Sequence, residues 1–441
     1  MPAGHSLLKI ALIFLFIKSA TTSCNANPLS VTGKIPEPLI SLESEKNTIV
    51  LVEKASQQLY LYEYNGEYRE VFRMKCSTGK VEGDKRESGD QKTPEGIYFC
   101  TREFTKKDLS PIYGTRAFPI DYPNPVDKIE GKNGSAIWLH GTNKPLKKRD
   151  SNGCIALNND DINRLAGFVS LYKTPVILVD QLKYKRPEES RELKKSVVEY
   201  LNRWSRSFSE ETISNYLNFY DQRARVDATF WKEWILIRDR LKSVMGQVSV
   251  GVKNLSVYIH DGVLVALFEQ SAQARDLEAS AGQRKLYIKK AKDHYTIIGD
   301  EAFLGSGGGQ RLSTHPLISA GLELNREAVV WGDIKRMIDG WLDAWTSKSI
   351  RRYGAYYSKD FQAMNMNLAG WLDYKKGLNQ QYEYITVTLD KLSISVKGNE
   401  SQVTFLQTYK SSGLNDVGFK ELQLVREGGE WKIFRETWRK Q

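Results

Sequence analysis

The sequence predicts a multidomain chain, with a mainly β first domain followed by two α+β domains that are copies of each other. Three observations carry this. From Asn47 to Asp180, short runs rich in β-branched and aromatic residues alternate with turn signals such as Asn65-Gly66, the pattern of consecutive strands. After Gln181 the apolar spacing turns helical and then gives way to long alternating strands, and this order occurs twice, as α+β domains do. The two occurrences share one register, at a shift of 137 positions from Trp204 to Trp341. The same shift pairs Phe208 with Trp345, Ile213 with Ile350, Tyr216 with Tyr353, Tyr220 with Tyr357 and Trp234 with Trp371, and one residue is lost before Leu286 and Leu422. A register held at aromatic positions over that length marks two copies of one domain.

In chain order, Met1 to Ser23 carries Lys9, the apolar run Ile10 to Ile17 and then small polar residues, the composition of a secretory signal peptide, so residues 1–24 read as a leader. Ser23-Cys24 is a candidate lipoprotein processing site and thus a membrane tether, although Thr21 stands where such sites favour an apolar residue. Residues 25–45, with Pro28, Pro36 and Pro38, lack periodicity and read as a linker. The first domain is expected over 46–185, with strands at Thr48–Val52, Gln58–Tyr62, Tyr68–Lys75 and Pro175–Val179 and a helix starting at Asp160. Pro111 to Asp127 is too rich in proline for a regular element and reads as a lid or an irregular packed loop. The copies are expected over 190–305 and 329–441, with a linker at 306–328 that includes the flexible Ser306–Gln310. The first domain is expected to work on small substrates without them.

One stretch, Ile137 to Asp161, holds the chemistry. Ile137-Trp138-Leu139 is an apolar strand that delivers His140 to a strand end, and Gly141 lets the chain turn there. After a basic loop, the polar Ser151-Asn152-Gly153 leads into Cys154, and Ile155-Ala156-Leu157 returns to the core. A thiol attacks a carbonyl as thiolate, and a nearby imidazole takes its proton and returns it to a leaving amine. His140 and Cys154 are the candidate pair, and the backbone N–H groups of Asn152, Gly153 and Cys154 the candidate oxyanion donors. The competing reading is a buried structural cysteine and an unrelated histidine.

This stretch resembles the active-site signature of the L,D-transpeptidase (YkuD-type) family, His-Gly followed by a loop and Ser-x-Gly-Cys. Thr78 to Tyr98, TGKVEGDKRESGDQKTPEGIY, resembles the same family's run upstream of the catalytic histidine. The resemblance implies Cys154 as nucleophile, His140 as base and acid, and the Gly141 carbonyl as the group that orients the imidazole. It implies peptidoglycan stem peptides as substrates, with Ser151, Lys147, Arg149 and Trp138 as candidate substrate-binding residues. Asn152 and Ala156 depart from the commoner form, which has His and Arg there. The Ser-x-Gly-Cys-x-Ala form looks more like periplasmic L,D-carboxypeptidases of curved bacteria. The two copies resemble the NTF2-like cone fold, in which a curved sheet wraps helices around a pocket.

A net charge of +11 favours anionic partners, but no zinc-finger, helix-turn-helix or RRM signature accompanies it, and the leader argues against nucleic acid. Five histidines without clustered Cys/His spacing give no metal site, and the chemistry calls for no cofactor. Cys76 and Cys100, both on expected strands, are either a disulfide or two core residues. Lys144, Lys147, Lys148 and Arg149 are either a solvated face or a clamp for substrate carboxylates. The chain thus reads as an exported enzyme of the periplasm or cell envelope. The alternative is a non-catalytic wall-binding or scaffolding protein working through its cone domains.

Overall fold

The structure, a computed structural model, describes residues 33–40, 47–210, 212–224, 229–292, 294–303 and 315–441. The leader with Cys24 and the Ser306–Gln310 join lie outside the described residues.

The first domain is built from two sheets. The larger has the order Tyr68–Lys75, Gln58–Tyr64, Asn47–Glu53, Pro175–Val179, Gly96–Phe99. Its pairs are antiparallel except Asn47–Glu53 with Pro175–Val179, where Val50 lies opposite Val176. Alternation along these strands fills two cores, because side chains in a strand point to opposite faces in turn. Val50, Val52, Leu59 and Leu61 point into the domain, against Leu139, Ile155, Leu157, Ile162 and Leu165. Ile49, Leu51, Tyr60, Tyr62, Ile97, Phe99, Ile177 and Val179 point the other way, against Tyr258, Val265, Leu267, Tyr287 and Ile298 of the first cone. Burial on both faces is why Pro175–Val179 is apolar at every position.

The first domain is therefore not a free-standing unit, as the sequence had suggested. Its contact with the first cone is also pinned electrostatically. Lys285, 1% exposed, reaches across to Asp121 at 2.7 Å and stays 2.9 Å from Glu301 of its own cone. Asp121 follows the Arg116–Pro119 strand of the second sheet. That sheet has the order Phe104–Thr105, Arg116–Pro119, Trp138–Thr142, Ile155–Asn158, and its last pair is parallel, with His140 opposite Ala156. The expected helix spans Asn159–Ala166. The Pro111 to Asp127 stretch is more regular than its prolines suggested: it contains the Arg116–Pro119 strand and the start of the helix Pro125–Ile129, capped by Asn124. Both prolines sit where the missing N–H costs nothing, Pro125 at the first helical position and Pro119 at a strand end.

Two boundaries differ from the sequence reading. Within 25–45, Ile35–Pro36 pairs with Tyr184–Lys185, and Ile35, Leu39 and Ile40 are buried. Residues 316–328 are not a linker, because one helix runs unbroken over Pro316–Thr346. Its N-terminal half, with Leu317, Ile318 and Leu324 buried, packs against the first cone, where Ile237 and Trp234 touch Gly321. Its C-terminal half carries Trp341 and Trp345 into the second cone. The two cones consequently share one continuous apolar core. Proline at the first helical position starts the helix without loss of a hydrogen bond.

Each cone sets helices against a sheet, antiparallel throughout in the first and in the second antiparallel except where Tyr357–Ala363 runs parallel to Glu430–Lys440. The first has four strands in sequence order, Val248–His260, Val263–Ala274, Leu277–Ala291 and His294–Phe303; the second has six, Ile385–Lys397 forming one edge. The repeat extends to hydrogen bonding. Trp204 Nε1 donates to Tyr220 Oη at 3.1 Å, and Trp341 Nε1 to Tyr357 Oη at 3.0 Å. The tyrosines donate in turn to Asp300 and Glu436.

Candidate active site

His140 and Cys154 arrive from adjacent parallel strands and line one cavity of about 350 Å³. The imidazole is fixed by its own backbone, with Nδ1 lying 2.6 Å from the Gly141 carbonyl oxygen. A carbonyl only accepts, so Nδ1 carries the proton and Nε2 keeps its lone pair. The edge of the ring also meets Tyr113, with centroids 5.1 Å apart and planes at 89°. Gly141 is required here, since a Cβ would fall 2.4 Å from Asn159 Oδ1.

The thiol of Cys154 lies 3.5 Å from the Ala136 carbonyl. Burial pushes it above the ordinary thiol range, opposed by the Trp138 backbone N–H and the Lys85 ammonium. Burial also pushes His140 below the ordinary imidazole range, opposed by its bond to Gly141. Both directions favour a neutral thiol and a neutral imidazole at rest.

The turn before the cysteine is held from both sides. Ser151 Oγ donates to Cys154 O at 2.6 Å and accepts from Gly153 N at 3.1 Å. The Gly153 N–H, one of the three expected oxyanion donors, is thus already engaged within the turn. Ser151 likewise spends its hydroxyl on the turn. Gly153 has φ +124°, and a Cβ there would lie 2.9 Å from Lys92 O. The Thr78–Lys80 segment runs alongside: Ser151 N donates to Thr78 O at 3.1 Å, and Lys80 N to Ser151 O at 3.0 Å. Thr93 Oγ1 accepts from Gly79 N and donates to Gly153 O. The two sequence motifs are therefore two strands of one small assembly.

The remaining expected residues separate. Lys144, Lys147 and Asn152 line the cavity. Arg149 does not: its Nη2 pairs with Glu82 at 3.2 Å, and its backbone N–H donates to Gln57. Trp138 is not part of the cavity lining; its ring packs at a tilt of 41° against Tyr113, centroids 4.9 Å apart, and backs that wall. Cys76 and Cys100 are unpaired and buried, two core residues rather than a disulfide. Burial pushes Cys76 up to about 12. Among the described residues no group of His, Cys, Asp and Glu is placed to hold a metal.

Several contributors escaped the sequence reading. Lys80 and Ile112 line the cavity, and Gln57 bridges Thr78 to Arg149. Lys80 lay inside the Thr78 to Tyr98 motif and Ile112 inside the Pro111 to Asp127 stretch read as a lid or packed loop, whereas Gln57 lay in neither. The cones also hold buried ion pairs at equivalent positions, Arg284–Asp300 and Lys420–Glu436, both at 2.6 Å. The first cone's pair is covered by His315, whose ring stacks on Phe230 with centroids 4.1 Å apart. The second opens onto a cavity of about 540 Å³ lined by Trp345, Trp371, Lys375, Lys420 and Glu436.

Residues 47–178 match the L,D-transpeptidase catalytic domain family, YkuD. The chain carries a YkuD L,D-transpeptidase domain. Residues 333–437 match the Cds6 C-terminal NTF2-like domain, so a cone of that fold follows the transpeptidase domain. The Escherichia coli K12 protein named "Putative L,D-transpeptidase YafK" is 30% identical over 131 residues, which are 30% of this chain and 46% of the relative. This chain spans about half the length of the curated relatives it matches. Among solved structures, Bdellovibrio bacteriovorus Bd1075 aligns over 92% of this chain and 99% of its own, at 22% identity and TM-score 0.32. The helical cell shape determining protein Pgp2 of Campylobacter jejuni aligns over 91% and 94%, at 19% identity and TM-score 0.30. No helix among the described residues is long and apolar enough to cross a membrane.

Proposed function

We propose that this chain is an exported cysteine acyl-transfer enzyme of cell-wall remodelling, an L,D-transpeptidase or L,D-carboxypeptidase that cleaves peptidoglycan stem peptides before a terminal D-Ala. The observation that carries the reading is the shared cavity of Cys154 and His140, with Nδ1 committed to Gly141 and Nε2 left as a base. Nε2 takes the thiol proton as Sγ bonds to the carbonyl carbon of the L-centre residue. The Asn152 and Cys154 N–H groups face the developing oxyanion. The C–N bond then breaks, His140 returns the proton to the departing amine, and D-Ala leaves a thioester on Cys154. Water or a second stem amine attacks the thioester, passing its proton through His140 back to sulfur. The leader composition of residues 1–24 supports action in the periplasm or envelope, and Cys24 is a tether if lipidated.

Incubating the protein with disaccharide tetrapeptide tests this directly. Tripeptide or cross-linked dimer, detected by mass spectrometry and absent with Cys154→Ala, is expected. A wild-type protein that forms neither product would overturn the reading. The second reading, a wall-binding scaffold, is favoured by one observation, the open cavity of the second cone.

A further inference from the structure

The cavity around Cys154 has a one-sided charge. Lys80, Lys144 and Lys147 line it, and Asp150 is the one acidic residue among its lining side chains. None of the three lysines has a carboxylate within ion-pair distance among the described residues, whereas Lys54, Lys85, Lys132 and Lys285 of the same body all do. Lys144 and Lys147 project from the exposed loop. Lys80 differs because its backbone is held: its N–H bonds Ser151 O at 3.0 Å, and Gly79 before it is pinned to Thr93. Its ammonium reaches Asn152 Oδ1 at 3.2 Å, two residues before the nucleophile. A neutral amide oxygen satisfies one of three ammonium donors and none of the charge.

The leaving D-residue presents an anion close to the bond that breaks. Only the amide N and one Cα separate the scissile carbonyl carbon from a terminal carboxylate, a span of at most roughly 4 Å from standard bond lengths. When the D-residue is internal or amidated, that charge is gone.

We propose that Lys80 reads the free carboxylate of the leaving D-residue, with Asn152 steadying the ammonium, so that the site accepts stems only where the D-residue is chain-terminal. This rests on the acyl-transfer reading above, which places the cut before a terminal D-Ala, and adds to it the residue that recognises that end. Lys144 and Lys147 act at longer range, raising the local concentration of anionic stems without selecting the end.

The test compares a tetrapeptide stem ending in D-Ala with the same stem as its C-terminal amide, using full-length protein and scoring tripeptide release. Wild type should favour the acid by roughly 10- to 100-fold in kcat/KM, the range for losing a hydrogen bond to a charged group. Lys80→Gln should bring the ratio near one by slowing the acid, and Lys80→Arg should restore the preference. An equal rate on acid and amide in wild type, or an unchanged ratio in Lys80→Gln, overturns the assignment of Lys80 while leaving acyl transfer in place. Absence of wild-type turnover on either peptide overturns both.

Discussion

Raising the pH from 6 to 8 is expected to speed alkylation of Cys154 by close to a hundredfold. The perturbation separates a neutral resting pair from a preformed thiolate–imidazolium pair. Burial raises the Cys154 thiol and lowers His140, so neither carries charge near neutrality. An ordinary thiol, with pKa about 8.5, is about 3% thiolate at pH 7, and a raised one holds less. Below the thiol's pKa the thiolate fraction grows tenfold per pH unit, and a lowered His140 carries little charge over most of that range. The assay is iodoacetamide labelling under pseudo-first-order conditions, read by mass spectrometry on the peptide bearing Cys154. Cys76 and Cys100, at 2% and 0% exposure, should stay unlabelled in the folded protein and serve as internal references. A rate that is flat between pH 6 and 8 would mean a thiolate already stabilised at rest, and the electrostatic account of the site would be wrong.

Cys154→Ala should lower turnover by about a thousandfold or more with the melting temperature nearly unchanged, since nucleophile and base act as a unit; surviving turnover would remove the nucleophile assignment. Truncation after Lys185 should yield insoluble protein, because it bares nine apolar side chains from Ile49 to Val179. At about 1.5 kcal/mol or more each, their loss matches the whole stability of a typical domain, and a soluble, folded fragment would refute the shared core. Burial pushes Lys375 in the second cone down to about 7. The unfolded chain then holds a proton that the folded one lacks between about pH 7 and 10.5, so stability rises with pH across that window, and the cost is fully present below it. Lys375→Met should therefore stabilise by up to about 4 kcal/mol at pH 6 and far less at pH 9.5. Attraction to Trp345 and Trp371, 4.0 and 4.6 Å from the ammonium, reduces that gain, and equal melting shifts at both pH values would count against it. Lys144→Gln with Lys147→Gln should raise KM and weaken its salt dependence, while Arg149→Gln, whose partner is Glu82, should move KM less.

What the sequence by itself determined was whatever follows from local pattern. Strand alternation between Thr48 and Lys75, the helix at Asn159–Ala166 and the cone repeat are statements about neighbours in the chain, and each lies where the spacing put it. His140 and Cys154 were singled out by the glycine beside each: Gly153 does take φ +124°, whereas Gly141 lies inside the Trp138–Thr142 strand rather than at a turn, and leaves room there for Asn159. Tertiary structure decided what depends on distant partners. Strand periodicity says that Ile49 and Val50 face opposite ways, but not that both faces are covered; only the docking of Tyr258 and Tyr287 on the outer face shows that. The glycines of Ser306–Gln310 suggested a linker reaching residue 328, yet the chain from Pro316 stays helical because Leu317, Ile318 and Leu324 complete the first cone's core. Charge in a basic loop gives no direction, so Arg149 turning to Glu82 had no local signal, and the Thr78 to Tyr98 motif that contains Lys80 did not say that its ammonium would meet Asn152, 72 positions away. The proton on His140 was decided in the same way, by burial and by the Gly141 carbonyl 2.6 Å from Nδ1 of a ring whose edge meets Tyr113.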